Sequence, residues 1–168
     1  MQSIVAKRLL ALVIDWLLIC GYLIVLTIVA FLLYLIVWDR IPEFSAIQTQ
    51  VIAALTTVVP VTIWFTLKEA QIPFATTGKI QTELTVNYRG DAVKSALIRN
   101  VLKFLPWQLA HIGVIHGYYT DFETTASMLI ILGSLFLALT YVMQVAITPS
   151  HRHFPDIVAG ARVQRLPA

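Results

Sequence analysis

The sequence predicts an all-α membrane protein: four transmembrane helices with a short two-strand element on the cytoplasmic side. Three observations lead there. Of 168 residues, 58% are hydrophobic and 12% charged, more apolar surface than a soluble domain of this length can bury. Apolar stretches of bilayer-spanning length recur along the chain, separated by short polar segments. In a four-crossing arrangement with a cytoplasmic N-terminus, Arg40 is the single exported cation among the twelve Lys and Arg.

The first helix is read from the run Leu9 to Trp38, thirty residues in which Asp15 is the only charge. At about 1.5 Å per residue it outreaches a hydrocarbon core of roughly 30 Å, and Lys7-Arg8 marks its cytoplasmic entrance. An ionised Asp at a helix centre costs about 2.5–3.5 kcal/mol on insertion scales, so Asp15 requires a partner, a proton or water. The run is about twice the length of a signal-peptide core and lacks a small-residue cleavage pattern, so it is expected to be retained. Cys20 is the sole cysteine and lies within it, which excludes an intramolecular disulfide and any multi-cysteine metal site.

A tight loop, Asp39-Arg40-Ile41-Pro42-Glu43, leads to a second helix over about 46–67. Pro60 is expected to displace the carbonyl of Thr56 and bend this helix, with Thr56, Thr57 and Thr62 placed to take up the freed group. From 68 to 91 the chain is polar and broken by Pro73, Gly78 and Gly90. Within it Ile80, Thr82, Leu84, Val86 and Tyr88 alternate with polar residues, the period of a strand with one apolar face. The segment Ala161 to Leu166 is its expected partner.

Asp91 is placed to cap a third helix over about 92–117, which carries Lys94, Arg99 and Lys103 in its first half and His111 and His116 in its second. A window so polar crosses only if other helices pack on it. Without that crossing, Arg152, Arg162 and Arg165 would be exported and the two strands would lie on opposite sides. The fourth helix runs over about 125–147. The whole chain, 1–168, forms one domain with cytoplasmic segments 68–91 and 148–168 and both termini inside. Trp16, Trp38, Trp64 and Trp107 are read as interfacial anchors.

The charges that a membrane rejects are the candidate functional residues. Arg8 and Asp15 are seven residues apart and share a helix face; Arg99 lies two turns into the third helix, with Lys103 a turn deeper. After the fourth helix, Pro155 suits the first turn of a short helix, with His153 just before it and Asp156 near its N-terminus. Asp15, Asp156, Arg8 and Arg99 are therefore expected to converge at the inner leaflet. His111 and His116 diverge on their helix, and Arg152 between His151 and His153 opposes a metal, so neither a metal nor another cofactor is expected. No basic tract with interleaved aromatics points to nucleic acid. No Ser-His-Asp, paired-glutamate or metalloprotease pattern points to an enzyme, and Thr76-Thr77-Gly78-Lys79 lacks the glycine spacing of a phosphate loop.

Arg8 followed by Asp15, Thr77-Gly78-Lys79 ahead of Leu84-Thr85-Val86 and Gly90, Arg99 opening the next helix, and Asp156 before Ala159-Gly160-Ala161-Arg162-Val163 together resemble the RDD family of bacterial membrane proteins. The family's arginine and two aspartates fall on Arg8, Asp15 and Asp156. RDD proteins usually carry His directly before the last Asp and Thr after the Ala-Gly pair; this chain has Pro155 and Ala161, with His153 three residues ahead of Asp156. The resemblance implies a multi-pass protein of the bacterial inner membrane, with cation/proton exchange suggested for some members. Two readings of the charges stay open. In one, Asp15 exchanges H⁺ for a cation such as Na⁺, with Arg8 and Arg99 as tuning cations and Lys103 and His153 in secondary roles. In the other, a static buried network docks the helices. A chain this small is expected to transport only as a homo-oligomer, and the alternative to a transporter is a non-catalytic accessory or scaffold subunit of a larger membrane complex.

Overall fold

The computed structural model describes residues 3–37 and 42–166, so Trp38 and most of the expected loop at 39–43 lie outside the described residues. Helix α1 (Ile4–Val37) begins a turn before the apolar run and buries only Ala11, Asp15 and Ile19. Helix α2 (Ala46–Ala53) starts at Ser45, whose hydroxyl accepts from Gln48 N–H while the Gln48 side chain accepts from Ser45 N–H, a capping box. It passes through a π-helical turn, Ala54–Val58, into α3 (Val59–Ala70).

The wide turn is the local answer to Pro60, which offers no N–H to the carbonyl four residues back. That carbonyl, of Thr56, accepts from the Tyr22 hydroxyl of α1 at 2.5 Å. The expected relief by threonines is corrected here. Thr56, Thr57 and Thr62 donate instead to the carbonyls of Ile52, Ala53 and Val58. The helix also runs three residues past its expected end at 67, which brings Glu69 into the bundle.

The polar segment is helical before it is extended. Helix α4 (Thr77–Gln81) takes up Ile80 and Gln81, and strand β1 is confined to Leu84–Tyr88. Thr82 caps α4, so the alternation read from Ile80 held only from Leu84 onward. Helix α5 (Ala92–Tyr119) is capped by the Asp91 side chain accepting from Lys94 N–H. Helices α6 (Thr125–Ile147) and α7 (Phe154–Val158) precede strand β2 (Ala161–Arg165). The strands pair, as expected, and do so antiparallel, with Val86 opposite Val163.

Helices α5 and α6 form a close hairpin. A Cβ on Gly113 would lie 2.7 Å from the Ile131 side chain and 3.2 Å from the Ser127 carbonyl, so only glycine admits this approach. Ser134 donates to the carbonyl of Pro106 at 2.7 Å, deep in the same contact. On the opposite flank α5 packs on α3. Three stretches, Ile4–Val37, Ala46–Ala70 and Thr125–Ile147, are long and apolar enough to cross a membrane; α5 matches them in length, but its polar side chains, among them Asn100, Lys103, Gln108, His111 and His116, leave it less apolar, and it is not counted with them on composition.

Two apolar layers frame the interior. Leu84, Val86, Ala161 and Val163 press the sheet onto Ala11 and Ala159, supplying the packing that a two-stranded ribbon needs to persist. Ile19, Val58, Val61, Phe65 and Phe104 form the second layer. Trp16 meets Trp107 at a ring separation of 5.8 Å, and Phe104 links Trp107 to Phe65, so these tryptophans pack on one another within the bundle rather than simply marking helix ends. Between the two layers lie the buried charges.

Candidate functional site

Asp156 is held at the start of α7 because His153 caps that helix: its Nδ1 accepts from Asp156 N–H at 3.1 Å, and Pro155 begins the first turn. Arg8 donates to Asp156 Oδ2 at 2.9 Å and Arg99 Nε to Oδ1 at 2.7 Å. Both guanidiniums that the sequence singled out thus converge on the last aspartate, and Arg8 also donates to the His151 carbonyl. Arg152 donates to the Asp156 carbonyl at 3.0 Å.

Burial holds the His153 ring at a pKa of about 3, so it is neutral near pH 7. Its 3.3 Å approach to Asp156 Oδ2 is therefore not an ion pair. Burial raises the Asp156 carboxyl, and the charges around it, Arg99 foremost, more than reverse that, keeping it ionised.

The second acid on Arg99 is Glu69, not Asp15. Arg99 donates to Glu69 Oε2 at 2.5 Å, Asn100 Nδ2 donates to the same oxygen at 3.0 Å, and Lys79 pairs with Oε1. Glu69 is wholly buried. Sequence reading placed it in the polar segment after the second helix; the signal that could have found it is helical continuation past Leu67, which turns Glu69 toward the bundle. Lys79 and Asn100 were missed for related reasons, the first read as loop and the second unexamined on a charged helix. Burial lowers the Lys79 pKa and Glu69 opposes that shift.

Asp15 is buried, as a charge in this run requires, yet its expected pairing with Arg8 and Arg99 is corrected. Its carboxylate accepts from Thr76 Oγ1 at 2.7 Å and from Gly78 N–H at 2.8 Å. The physical reason is α4, which docks on α1 and offers those donors before either guanidinium can reach. Gly78 permits the docking, since a Cβ there would sit 2.3 Å from the Ala11 carbonyl oxygen and 2.8 Å from Asp15 Oδ1. Sharing a face with Arg8 therefore leaves Asp15 two turns away from the pair that Arg8 makes.

Lys103 lies over the Phe65 ring at 4.5 Å and the Phe104 ring at 5.2 Å, and among the described residues its ammonium has no hydrogen-bond acceptor. It lines a cavity of about 510 Å³ bounded by α1, α5 and α6. Asp15, Arg8, Lys79, Arg99 and His153 border the charged end; Trp16, Trp107, Ile131, Leu135 and Ala138 border the rest. His111 and His116 are apart from it, bonded to the Trp107 carbonyl and to Ser127.

A bundle of long apolar helices whose one end is closed by buried ion pairs, a short sheet and two single-turn helices defines a small polytopic membrane protein. The RDD family model matches residues 4–160, nearly the whole chain, and the protein belongs to the RDD family. No curated protein and no solved structure matches it.

Proposed function

We propose that the chain is a small, non-enzymatic transporter of the bacterial inner membrane, with four crossings and both termini cytoplasmic, that exchanges a monovalent cation such as Na⁺ for H⁺. The observation that carries this reading is the cavity shared by Asp15 and Lys103. Arg8, Lys79, Arg99 and Lys103 stand against Asp15, Glu69 and Asp156, a surplus of one positive charge while Lys103 keeps its proton. A cation arriving beside Asp15 leaves that total unchanged if Lys103 releases its proton, so the two ions can replace one another without adding to the buried charge. Asp15 uses part of its acceptor capacity on Thr76 and Gly78, and a carboxylate has further lone pairs for a cation. The Arg8, Arg99, Glu69 and Asp156 cluster is the fixed frame, not the moving charge.

Four crossings are favoured by the pairing of β1 with β2 and by the Arg8 to Asp156 bond, which bring the end of α3, the start of α5 and the segment after α6 to one end of the bundle. Cysteine labelling at Tyr119 from outside, and at Arg162 only from inside, is the expected result; labelling of Arg162 from outside refutes the topology. The exchange is tested in proteoliposomes: Na⁺ dissipates a pH gradient with the unmodified protein and fails to do so with Asp15→Asn or Lys103→Met of unchanged gel-filtration profile. Absence of Na⁺-dependent flux from the unmodified protein, or full flux from Asp15→Asn, overturns it.

A second reading, a non-catalytic accessory or scaffold subunit of a larger membrane complex, draws on the outer face of α1, where Leu17, Ile24, Phe31 and Ile36 stand exposed. A stoichiometric partner on purification, with no flux, supports it. Nucleic acid has no place in either reading.

A further inference from the structure

The same cavity is mostly apolar, which a hydrated inorganic cation does not need. On α6 its lining runs from Ile131 to Val145, about 21 Å at 1.5 Å per residue, and it narrows to charge only at the end where Arg8, Arg99 and Lys103 stand. Helix α1 packs on α4 and does not lie closely along α6, so the two long helices flank a cleft with α5 behind it. Its volume, about 510 Å³, falls within the range of sites that hold small organic ligands, about 300–1,000 Å³.

At the charged end each carboxylate already has donors. Glu69 and Asp156 are engaged by Arg8, Lys79, Arg99 and Asn100, and Asp15 by Thr76 and Gly78. What remains facing the cavity is the Lys103 ammonium, with aromatic rings beneath it and no acceptor among the described residues.

We propose that this cleft binds an amphiphile with a monoanionic head and an acyl chain, the head on Lys103 Nζ and the chain along Trp16, Trp107, Leu135 and Ala138. One negative charge neutralises the surplus cation, and the chain replaces the void left between α1 and α6. The proposal goes beyond cation/proton exchange and adds a control on it, because an anionic head on Lys103 favours the charged ammonium and so opposes the release of its proton.

Binding is measurable without flux. The protein is placed in phosphatidylcholine nanodiscs, and its tryptophan fluorescence is titrated with a dibrominated fatty acid, its methyl ester, dibrominated phosphatidylglycerol and dibrominated phosphatidylcholine. Saturable quenching by an anionic species in excess of its neutral counterpart supports the site. Saturation by the free acid alone identifies a fatty acid as occupant, and by phosphatidylglycerol alone a bilayer lipid. Lys103→Met is expected to weaken the anionic ligand by about tenfold or more, and Lys103→Arg to retain it. Equal quenching by acid and ester and by both phospholipids, or undiminished anionic preference in Lys103→Met, overturns the proposal. If Lys103→Met does not fold, the comparison of acid with ester on the unmodified protein decides. Failure of this binding test leaves Na⁺ flux intact, and failure of flux leaves the quenching intact, so each reading falls alone.

Discussion

Replacing Glu69 by Gln keeps the shape of the side chain and removes the charge on which Lys79 and Arg99 both depend. Arg99 would retain Asp156 at 2.7 Å, and Asn100 would retain the Ala96 carbonyl at 3.0 Å. Lys79 would keep Thr76 Oγ1 at 3.4 Å and at best a neutral amide oxygen in place of the carboxylate. Removing one partner of a buried ion pair costs about 3–5 kcal/mol, because the remaining charge stays desolvated. Burial already depresses the Lys79 pKa, so that residue can shed its proton and trim the loss. The expected destabilisation of Glu69→Gln is therefore about 3 kcal/mol, at the lower end. It is read from reversible unfolding in mixed detergent and dodecyl sulfate micelles, followed by far-UV circular dichroism. A second variant, Glu69→Gln with Lys79→Met, removes the stranded cation along with the acid and should recover about 1 kcal/mol or more relative to the sum of the single changes. A single-variant loss below about 1 kcal/mol, the value of an exposed pair, or simple additivity in the double variant, would refute the view that this acid neutralises two buried cations.

Gly78→Ala forces a methyl group to 2.3 Å from the Ala11 carbonyl, a backbone atom that cannot swing away, and should cost about 2–3 kcal/mol in the same unfolding measurement; a neutral result means α4 can back off from α1. Tyr22→Phe removes the one described donor from outside the bent helix to the Thr56 carbonyl and should cost about 1 kcal/mol, with no change expected if water substitutes. The neutral cap His153 gives an acid-side dependence. Its folded pKa of about 3 lies below the ordinary 6.5, so the unfolded chain takes up a proton that the folded one refuses, and stability falls as pH drops from 6.5 toward 3. The slope approaches about 1.4 kcal/mol per pH unit, with about 2 kcal/mol lost by about pH 5, and it should be missing from His153→Gln. Asp156, whose folded pKa is also depressed, contributes stability that is fully present above its ordinary 3.8 and is lost only in stronger acid, below the pH 5–6.5 range in which His153 is read. Parallel pH curves for the two proteins would show that His153 titrates alike in both states.

The helices were legible because the solvent decides them: thirty apolar residues around Asp15 leave little choice, and Asp91 announces α5 by an acceptor placed for its cap. Strand pairing of 84–88 with 161–165 was legible from alternation plus the lack of another partner. The site was half legible. A charge in an apolar run must be satisfied, which marks Asp15, Arg8 and Arg99, but which donor reaches it first depends on how short segments fold back. Thr76 and Gly78 reach Asp15 because α4 turns in the broken polar stretch just ahead of the alternation and runs into its first two residues, Ile80 and Gln81, and no periodicity at 80–88 discloses that. Glu69 escaped because Leu67-Lys68-Glu69-Ala70 looks like a chain leaving the membrane, when one more helical turn carries the acid back inside. His153 was seen only as a near neighbour of Asp156; its work as a backbone acceptor follows from Pro155, which sets the turn.

The bond between Arg99 and Asp156 joins residues 57 positions apart, so the ribosome delivers the cation long before the acid that neutralises it. During synthesis α5 must wait with Arg99 answered only by Glu69, which has already been made. The buried charged layer therefore stays open on one side until α6 has followed and the last aspartate arrives to close it.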